Sequence, residues 1–275
     1  VKEQTRWKCR STTAALAVLA ALASPAGLLY AQSTEELAKA AQNPVASMIS
    51  LPFQNNTNFG YGPEDDIQNV LNIQPVWPFS LSPNWNLISR TILPVVYQPD
   101  LPGVEGDFGL SDLNPTLFLS PAKPGKVIWG VGPTITLPTA TADVLGTGKW
   151  SGGVAAVALT MPGRWVLGAL VNQQWSFAGD EDRSDVNLMV LQYFVNYNFA
   201  GGWYFTSGPL NTANWAAASG DVWTVPVGGG FGKIIPGKPP LNVSLQAYYN
   251  VVKPDHLPAA DWTLRFQVQL MFPKE

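Results

Sequence analysis

Cysteine and histidine are nearly missing from this 275-residue chain: it has one of each, Cys9 and His256. A lone cysteine excludes a disulfide framework within the chain. With one histidine besides, the usual zinc ligand sets cannot be assembled. Charge is scarce as well. Asp, Glu, Lys and Arg make up 13% of residues, about half of the ~25% found in an ordinary soluble domain. Of the two signs the positive is rarer, 16 Lys and Arg against 19 Asp and Glu, which excludes the basic patch of a nucleic-acid binder. Beyond residue 31 no apolar run approaches the ~18 residues of a membrane-crossing helix. No phosphate loop occurs either: Gly228-Gly229-Gly230 leads into Phe231, not into Gly-Lys-Ser/Thr. No cofactor and no metal site is expected.

What is plentiful points to strands and turns. The chain has eleven Trp, 25 Gly and 24 Pro, too many breakers for a helical protein and a good supply for turns. The N-terminus reads as a secretory signal peptide over residues 1–31. Lys2, Arg6, Lys8 and Arg10 precede an apolar run from Ala14 to Ala23, Ser24-Pro25 breaks it, and small residues close at Ala31. Cleavage there removes Cys9 and takes the formal net charge from −3 to −6, since four cations leave with one anion, Glu3. Residues 32–44 come next as a short leader helix with capping-box spacing at Ser33 and Glu36, stopped by Asn43-Pro44. The segment is either a plug or periplasmic latch for the domain after it, or a plain solvated leader.

From residue 45 to 275 the hydrophobic period is two. Trp262, Leu264, Phe266, Val268, Leu270 and Phe272 alternate with Thr263, Arg265, Gln267 and Gln269. Leu241 to Val251, and Met189 to Tyr197, repeat the pattern. Such segments run to about 12 residues, longer than the ~5–6 of sandwich strands and long enough for the ~9–11 that a membrane strand needs. Marking them gives about twelve strands. The predicted fold is an all-β, transmembrane, antiparallel up-and-down barrel, because an exported chain without a spanning helix can cross a bilayer only as a closed sheet. The connections are expected to alternate between longer ones, starting with 56–65, and tight ones. Asp180, Glu181, Asp182 and Asp185 belong to a long, acidic outer loop. Aromatics gather near strand ends, as in the girdles of membrane barrels.

Several segments together resemble a known family. They include Leu51-Pro52-Phe53-Gln54, Gln74-Pro75-Val76-Trp77-Pro78-Phe79, Trp85-Asn86-Leu87-Ile88-Ser89-Arg90, Trp129-Gly130-Val131-Gly132-Pro133 and Trp175-Ser176-Phe177-Ala178-Gly179-Asp180. This resembles bacterial exported proteins often mislabelled neuromedin U, themselves similar to the outer-membrane group named for meta-pathway phenol degradation. The resemblance implies a transporter-like barrel and carries over no catalytic residue. One departure from the family is Leu110-Ser111-Asp112, where a glycine is usual before the aspartate.

By alternation, Asn72, Gln74, Arg90, Asn172, Gln174, Gln192, Asn196, Asn242, Gln246, Asn250, Arg265, Gln267 and Gln269 point inward. They describe a wall of neutral amides with two fixed positive charges. Amides suit neutral solutes, and a cationic constriction suits anions. The first functional expectation is therefore an outer-membrane channel for small solutes, hydrophobic or aromatic compounds among them. The second is a non-conducting structural barrel whose acidic loops bind lipopolysaccharide or a partner. The third is an outer-membrane hydrolase, disfavoured because His256 sits in a loop, Pro254-Asp255-His256-Leu257-Pro258, without a His-x-Ser triplet. Expected partners are outer-membrane lipid and lipopolysaccharide, the barrel-assembly machinery and an unidentified small solute, with no nucleic acid.

Overall fold

The computed structural model describes residues 28–273, with side chains from Thr34 onward. Cys9 and most of the expected signal peptide lie outside the described residues. The first element is helix α1 (Leu28–Ala41). Ser33 and Glu36 fall inside it, not at its start. Its end is where Asn43-Pro44 places it: the Asn43 side chain accepts from the Val45 amide at 3.0 Å, and the chain turns back.

Fifteen strands follow: β1 (Ile49–Tyr61), β2 (Asp66–Ile73), β3 (Val76–Ser80), β4 (Trp85–Gln98), β5 (Asp107–Leu110), β6 (Asn114–Pro121), β7 (Val127–Thr136), β8 (Lys149–Thr160), β9 (Trp165–Gly179), β10 (Asn187–Asn198), β11 (Trp203–Ser207), β12 (Leu210–Asn214), β13 (Trp223–Ile235), β14 (Leu241–Val252) and β15 (Trp262–Phe272). They make twelve antiparallel staves, because three staves are each interrupted once. Pro75 splits β2 from β3 and Gly208-Pro209 splits β11 from β12; proline has no N–H to give the ladder. Between β5 and β6 the interruption falls at Ser111–Leu113. There the Asp112 carboxylate leaves the ladder to accept from Ala140 N, Thr147 N and Thr147 Oγ1 at 3.2, 2.7 and 2.8 Å. The sheet closes on itself through β1 and β15, in register from Ile49↔Phe272 to Phe59↔Trp262. Closure leaves no unpaired sheet edge, as lipid demands. Among the described residues no helix is long and apolar enough to cross a membrane.

One sequence expectation about the connections fails. The first strand does not occupy 45–55 but begins at Ile49 and runs on to Tyr61, so the connection to β2 shrinks to residues 62–65. Asparagine-rich 55–58 looks like a loop by propensity. Here its amides pair across the sheet instead: Asn55 Nδ2 donates to Asn69 Oδ1 at 2.8 Å, and Asn58 Nδ2 to Gln68 Oε1 at 2.8 Å. The other outer connections, 99–106, 137–148, 180–186, 215–222 and 253–261, are the longer ones. Those at the opposite end, 81–84, 122–126, 161–164, 199–202 and 236–240, are tight.

The outer face is apolar and exposed. Val154, Phe231, Leu245 and Phe266 are 59%, 58%, 52% and 47% accessible, an arrangement that only lipid tolerates over so large a surface. Aromatics form two belts. Near the tight turns are Trp77, Phe79, Trp85, Trp129, Trp165, Phe199 and Trp203; near the longer loops are Tyr97, Trp150, Trp175, Trp215, Trp223 and Trp262. Within them, rings meet edge to face: Trp85 with Trp129 at 6.0 Å and Trp215 with Trp223 at 5.4 Å between centroids. Lys233 Nζ lies 4.8 Å from the Trp203 ring centre. Amphipathic rings at both rims match the two headgroup levels of a bilayer.

Candidate functional site

The strand registers fix which side chains face the barrel axis. Opposite Arg265 stand Asn56 and Gln246, and opposite Gln54 stand Gln267 and Asn72. Following this alternation round the sheet puts all thirteen sequence candidates on the inner face. Asn72 and Gln74 come from the second stave, Arg90 from β4, Asn172 and Gln174 from β9, and Gln192 and Asn196 from β10. Asn242, Gln246 and Asn250 come from β14, and Arg265, Gln267 and Gln269 from β15. Within the paired staves from β6 to β15 and on through β1 to β4, the one carboxylate that alternation puts on that face is Asp66, at the loop end of β2 opposite Tyr61.

An amide lining, however, covers only part of the wall. In the half nearer the tight turns, β4, β6 and β8 to β10 present Ile88, Phe118, Ala155, Val157, Leu159, Val166, Leu170 and Phe194, a single apolar cluster inside the barrel. Sequence reading passed over these residues because it equated inward with polar. Their signal was the same alternation, read without that filter: Ile88 pairs with Phe118 and sits two residues from Arg90. The large rings fit because glycines face them. A Cβ on Gly168 would lie 2.6 Å from the Phe194 ring, and one on Gly232 would lie 2.2 Å from Tyr204.

On the polar arc the amides satisfy one another. Asn242 Nδ2 donates to Gln269 Oε1 at 2.9 Å, and the Tyr204 hydroxyl donates to Asn242 Oδ1. Tyr248 OH donates to Gln246 Oε1, and Asn250 Nδ2 donates to the Ala260 carbonyl at 2.7 Å. Across the barrel Gln174 Oε1 accepts from Thr136 Oγ1 at 2.8 Å, and Gln192 Nε2 donates to Gly208 O at 3.2 Å.

The two arginines differ in how fully they are held. Arg265 donates from Nε to Asn56 Oδ1 and from a terminal nitrogen to Gly208 O, both at 2.9 Å, and lies 4.9 Å from the Tyr248 ring centre. Arg90 makes one side-chain hydrogen bond, to Gln74 Oε1 at 2.7 Å. Neither takes part in an ion pair among the described residues.

Three spaces succeed one another along the axis. A vestibule of about 420 Å³ opens toward the longer loops, between Asn58, Tyr61, Gln68, Thr224 and Arg265. It shares Asn72 and Leu210 with a central chamber of about 280 Å³ that holds Arg90, Phe118, Leu170 and Asn172. The chamber in turn shares Gln54, Gln74, Arg90 and Gln192 with a smaller space of about 140 Å³. There the path meets the N-terminal segment: Gln42, Asn43, Pro44 and Ala46 line its far side. That segment is packed in place. Val45, 5% exposed, joins the apolar cluster of the inner wall. Ala38 and Met48 pack with Tyr204, Ile234 and Met271 at the rim. Gln42 exchanges hydrogen bonds with Asn198 at 2.9 and 3.2 Å. Residues 38–48, the end of α1 and the segment that turns back after it, thus form a hairpin docked on the barrel, where a plain solvated leader would make no such contacts.

The outer-loop acids do not converge. Asp180 accepts from the Asp182 amide at 3.0 Å, and Asp185 takes Ser176 Oγ at 3.1 Å and Lys149 Nζ at 3.5 Å. Glu181 is exposed between them. Arg183, from the same loop, reaches the carbonyls of Asp143 and Gly146. Among the described residues no three His, Cys, Asp or Glu side chains cluster as a metal site would need. His256 ties two loops together: its amide donates to Asp221 Oδ1 at 2.7 Å and its Nδ1 lies 3.3 Å from Asp221 Oδ2, with the ring 78% exposed. The bond from the His256 amide holds the Asp221 carboxyl below the ordinary carboxylate range.

No family model matches the chain, and no curated protein does. Solved structures do. The crystal structure of an outer membrane channel from Pseudomonas putida F1 superposes with a TM-score of 0.64 at 17% identity, over 82% of this chain and 94% of that one. Outer membrane phospholipase A from Escherichia coli superposes with a TM-score of 0.42 at 13% identity, over 86% and 98%. CdiB from Acinetobacter baumannii gives 0.39 at 12% identity, over 82% and 60%. At these identities the first likeness speaks to architecture: the chain has the twelve-stave barrel fold of an outer-membrane protein similar to a channel.

Proposed function

We propose that the chain is a bacterial outer-membrane channel that passes small solutes along the barrel axis, and that residues 38–48 restrict it from the tight-turn end. The observation that carries this reading is the run of adjoining spaces from the vestibule to the N-terminal segment, walled by amides and by guanidinium groups that have no ion-pair partner among the described residues. A structural barrel has no need of such a wall, since water-filled space forgoes the dispersion contacts of a packed interior. The superposed Pseudomonas protein is itself a channel, which supports the reading. The sequence motifs support the narrower family resemblance, and the signal peptide expected over residues 1–31 would fit export across the inner membrane. No catalysis is assigned. His256 contacts Asp221 between loops and stands 78% exposed, with no hydroxyl nucleophile among its hydrogen-bond partners, which supports a loop tie.

The test is single-channel recording of the purified full chain in planar lipid bilayers. Small, discrete conductance steps are expected. A correctly folded barrel that stays silent at every voltage would contradict the proposal.

A further inference from the structure

The central chamber joins two chemistries that seldom share one small space. On one side Arg90 offers five N–H groups, of which one is used, on Gln74. No carboxylate partners it among the described residues. A guanidinium half-buried in a narrow space without a counter-charge has lost part of its hydration with no ion-pair partner to replace it. On the other side, within the same chamber, stand Phe118 and Leu170, members of the buried apolar cluster. Phe118 lies one inward step from Arg90 along the β4–β6 pairing, since Arg90 faces Thr116 and Ile88 faces Phe118. The volume, about 280 Å³, sits at the lower limit of the ~300–1,000 Å³ typical of ligand pockets. It admits a small molecule and no oligosaccharide or peptide.

We propose that this chamber is a selective binding site for a small monocarboxylate with an apolar body. The carboxylate takes the free N–H groups of Arg90 as a two-pronged pair, and the body lies on Phe118 and Leu170. A single cation matches a single negative charge. A heavily hydrated anion such as phosphate would have to shed water against the apolar side, and a neutral hydrocarbon would leave Arg90 uncompensated. This assignment names the solute class for the lumen and rests on the channel reading, so its test measures binding and not current.

The full chain, folded in detergent micelles, is titrated against 4-fluorobenzoate and, separately, the neutral 4-fluorobenzamide by fluorine NMR, with empty micelles as the blank for partitioning. Saturable binding of the carboxylate to one site is expected, with the amide at least ~10-fold weaker, as loss of a charge-assisted hydrogen bond implies. Arg90→Gln should lose binding by ~10-fold or more, Arg90→Lys by less, and Arg265→Gln, which lines the vestibule side, least of all. Heat-modified gel migration checks that each variant remains a folded barrel. Equal binding of the two probes, or an Arg90→Gln barrel that is folded and binds like the parent, overturns the proposal. A barrel that conducts but binds no carboxylate loses this site alone. One that binds it and never conducts keeps the site and loses the pathway.

Discussion

The two ends of the barrel are finished by different physics. At the tight-turn end Ala38, Val45 and Met48 are at most 7% exposed, packed on rings and aliphatic chains of the inner wall, and Gln42 is tied to Asn198. At the longer-loop end no apolar plug enters. Polar side chains and proline-bearing loops frame the vestibule, with His256–Asp221 joining two loops and Lys253–Asp261 closing one across its base. One end is finished by apolar burial, which resists salt. The other is shaped by exposed polar ties, each worth little. On the proposed channel reading, the difference teaches which end would control passage: the N-terminal segment, seated on the apolar part of the inner wall, is the removable part.

The sharpest way to break that comparison is to delete residues 32–46. The barrel staves begin at Ile49, so the sheet should still close, and single-channel conductance should rise several-fold. Val45→Asp is next. It puts an unpaired carboxylate into the apolar cluster, a cost of several kcal/mol to the docked state. It should release the hairpin without shortening the chain, and appear as frequent transitions to the larger conductance. Arg265→Gln should act more modestly. Removing one fixed charge beside the path changes an ion's energy there by about 0.5 kcal/mol, with opposite sign for anion and cation, roughly a five-fold fall in the anion-to-cation permeability ratio, read as a shifted reversal potential in a salt gradient. Asp221→Asn should be the mildest change and confined to the open end. Because the folded carboxyl is depressed, its bond to the His256 amide contributes fully above the ordinary carboxylate range and is lost as pH falls through the lower, folded value. Hydrogen exchange at the His256 amide, corrected for intrinsic rate, should therefore speed up on strong acidification in the parent chain and be fast already at neutral pH in the variant.

Much of this architecture was legible in the sequence. Strict alternation in 262–272 and 241–251 gave direction as well as strand identity, since one lipid-facing tryptophan or leucine fixes every second neighbour. Inward amides and arginines came from the same rule. Three things were not legible. Asn55 to Asn58 read as loop because asparagine is a poor strand former in isolation; it is a good one when amide partners such as Asn69 and Gln68 stand opposite, and pairing is a long-range fact. The apolar patch of the interior was also hidden. Phe118 and Phe194 look the same in sequence whether they meet lipid or a plug, and only the seat of Val45 among them shows why the inner wall is greasy there. The interruption at Asp112 was hidden too: alternation reads 108–120 as one strand, and only the bonds from Ala140 and Thr147 to the Asp112 carboxylate show why it breaks.

The central claim is that water and solutes reach the inner face from the longer-loop end while the outer face meets lipid. Cysteine labelling reads it directly, since Cys9 is the only cysteine to replace. In a Cys9→Ser background, single substitutions at the inward Asn72 and Gln267 and at the outward Leu71 and Phe266 are treated with a charged, membrane-impermeant thiol reagent in proteoliposomes. Rapid modification of the inward pair and protection of the outward pair is the predicted result. The reverse pattern, or equal labelling of all four in a folded barrel, would contradict the account.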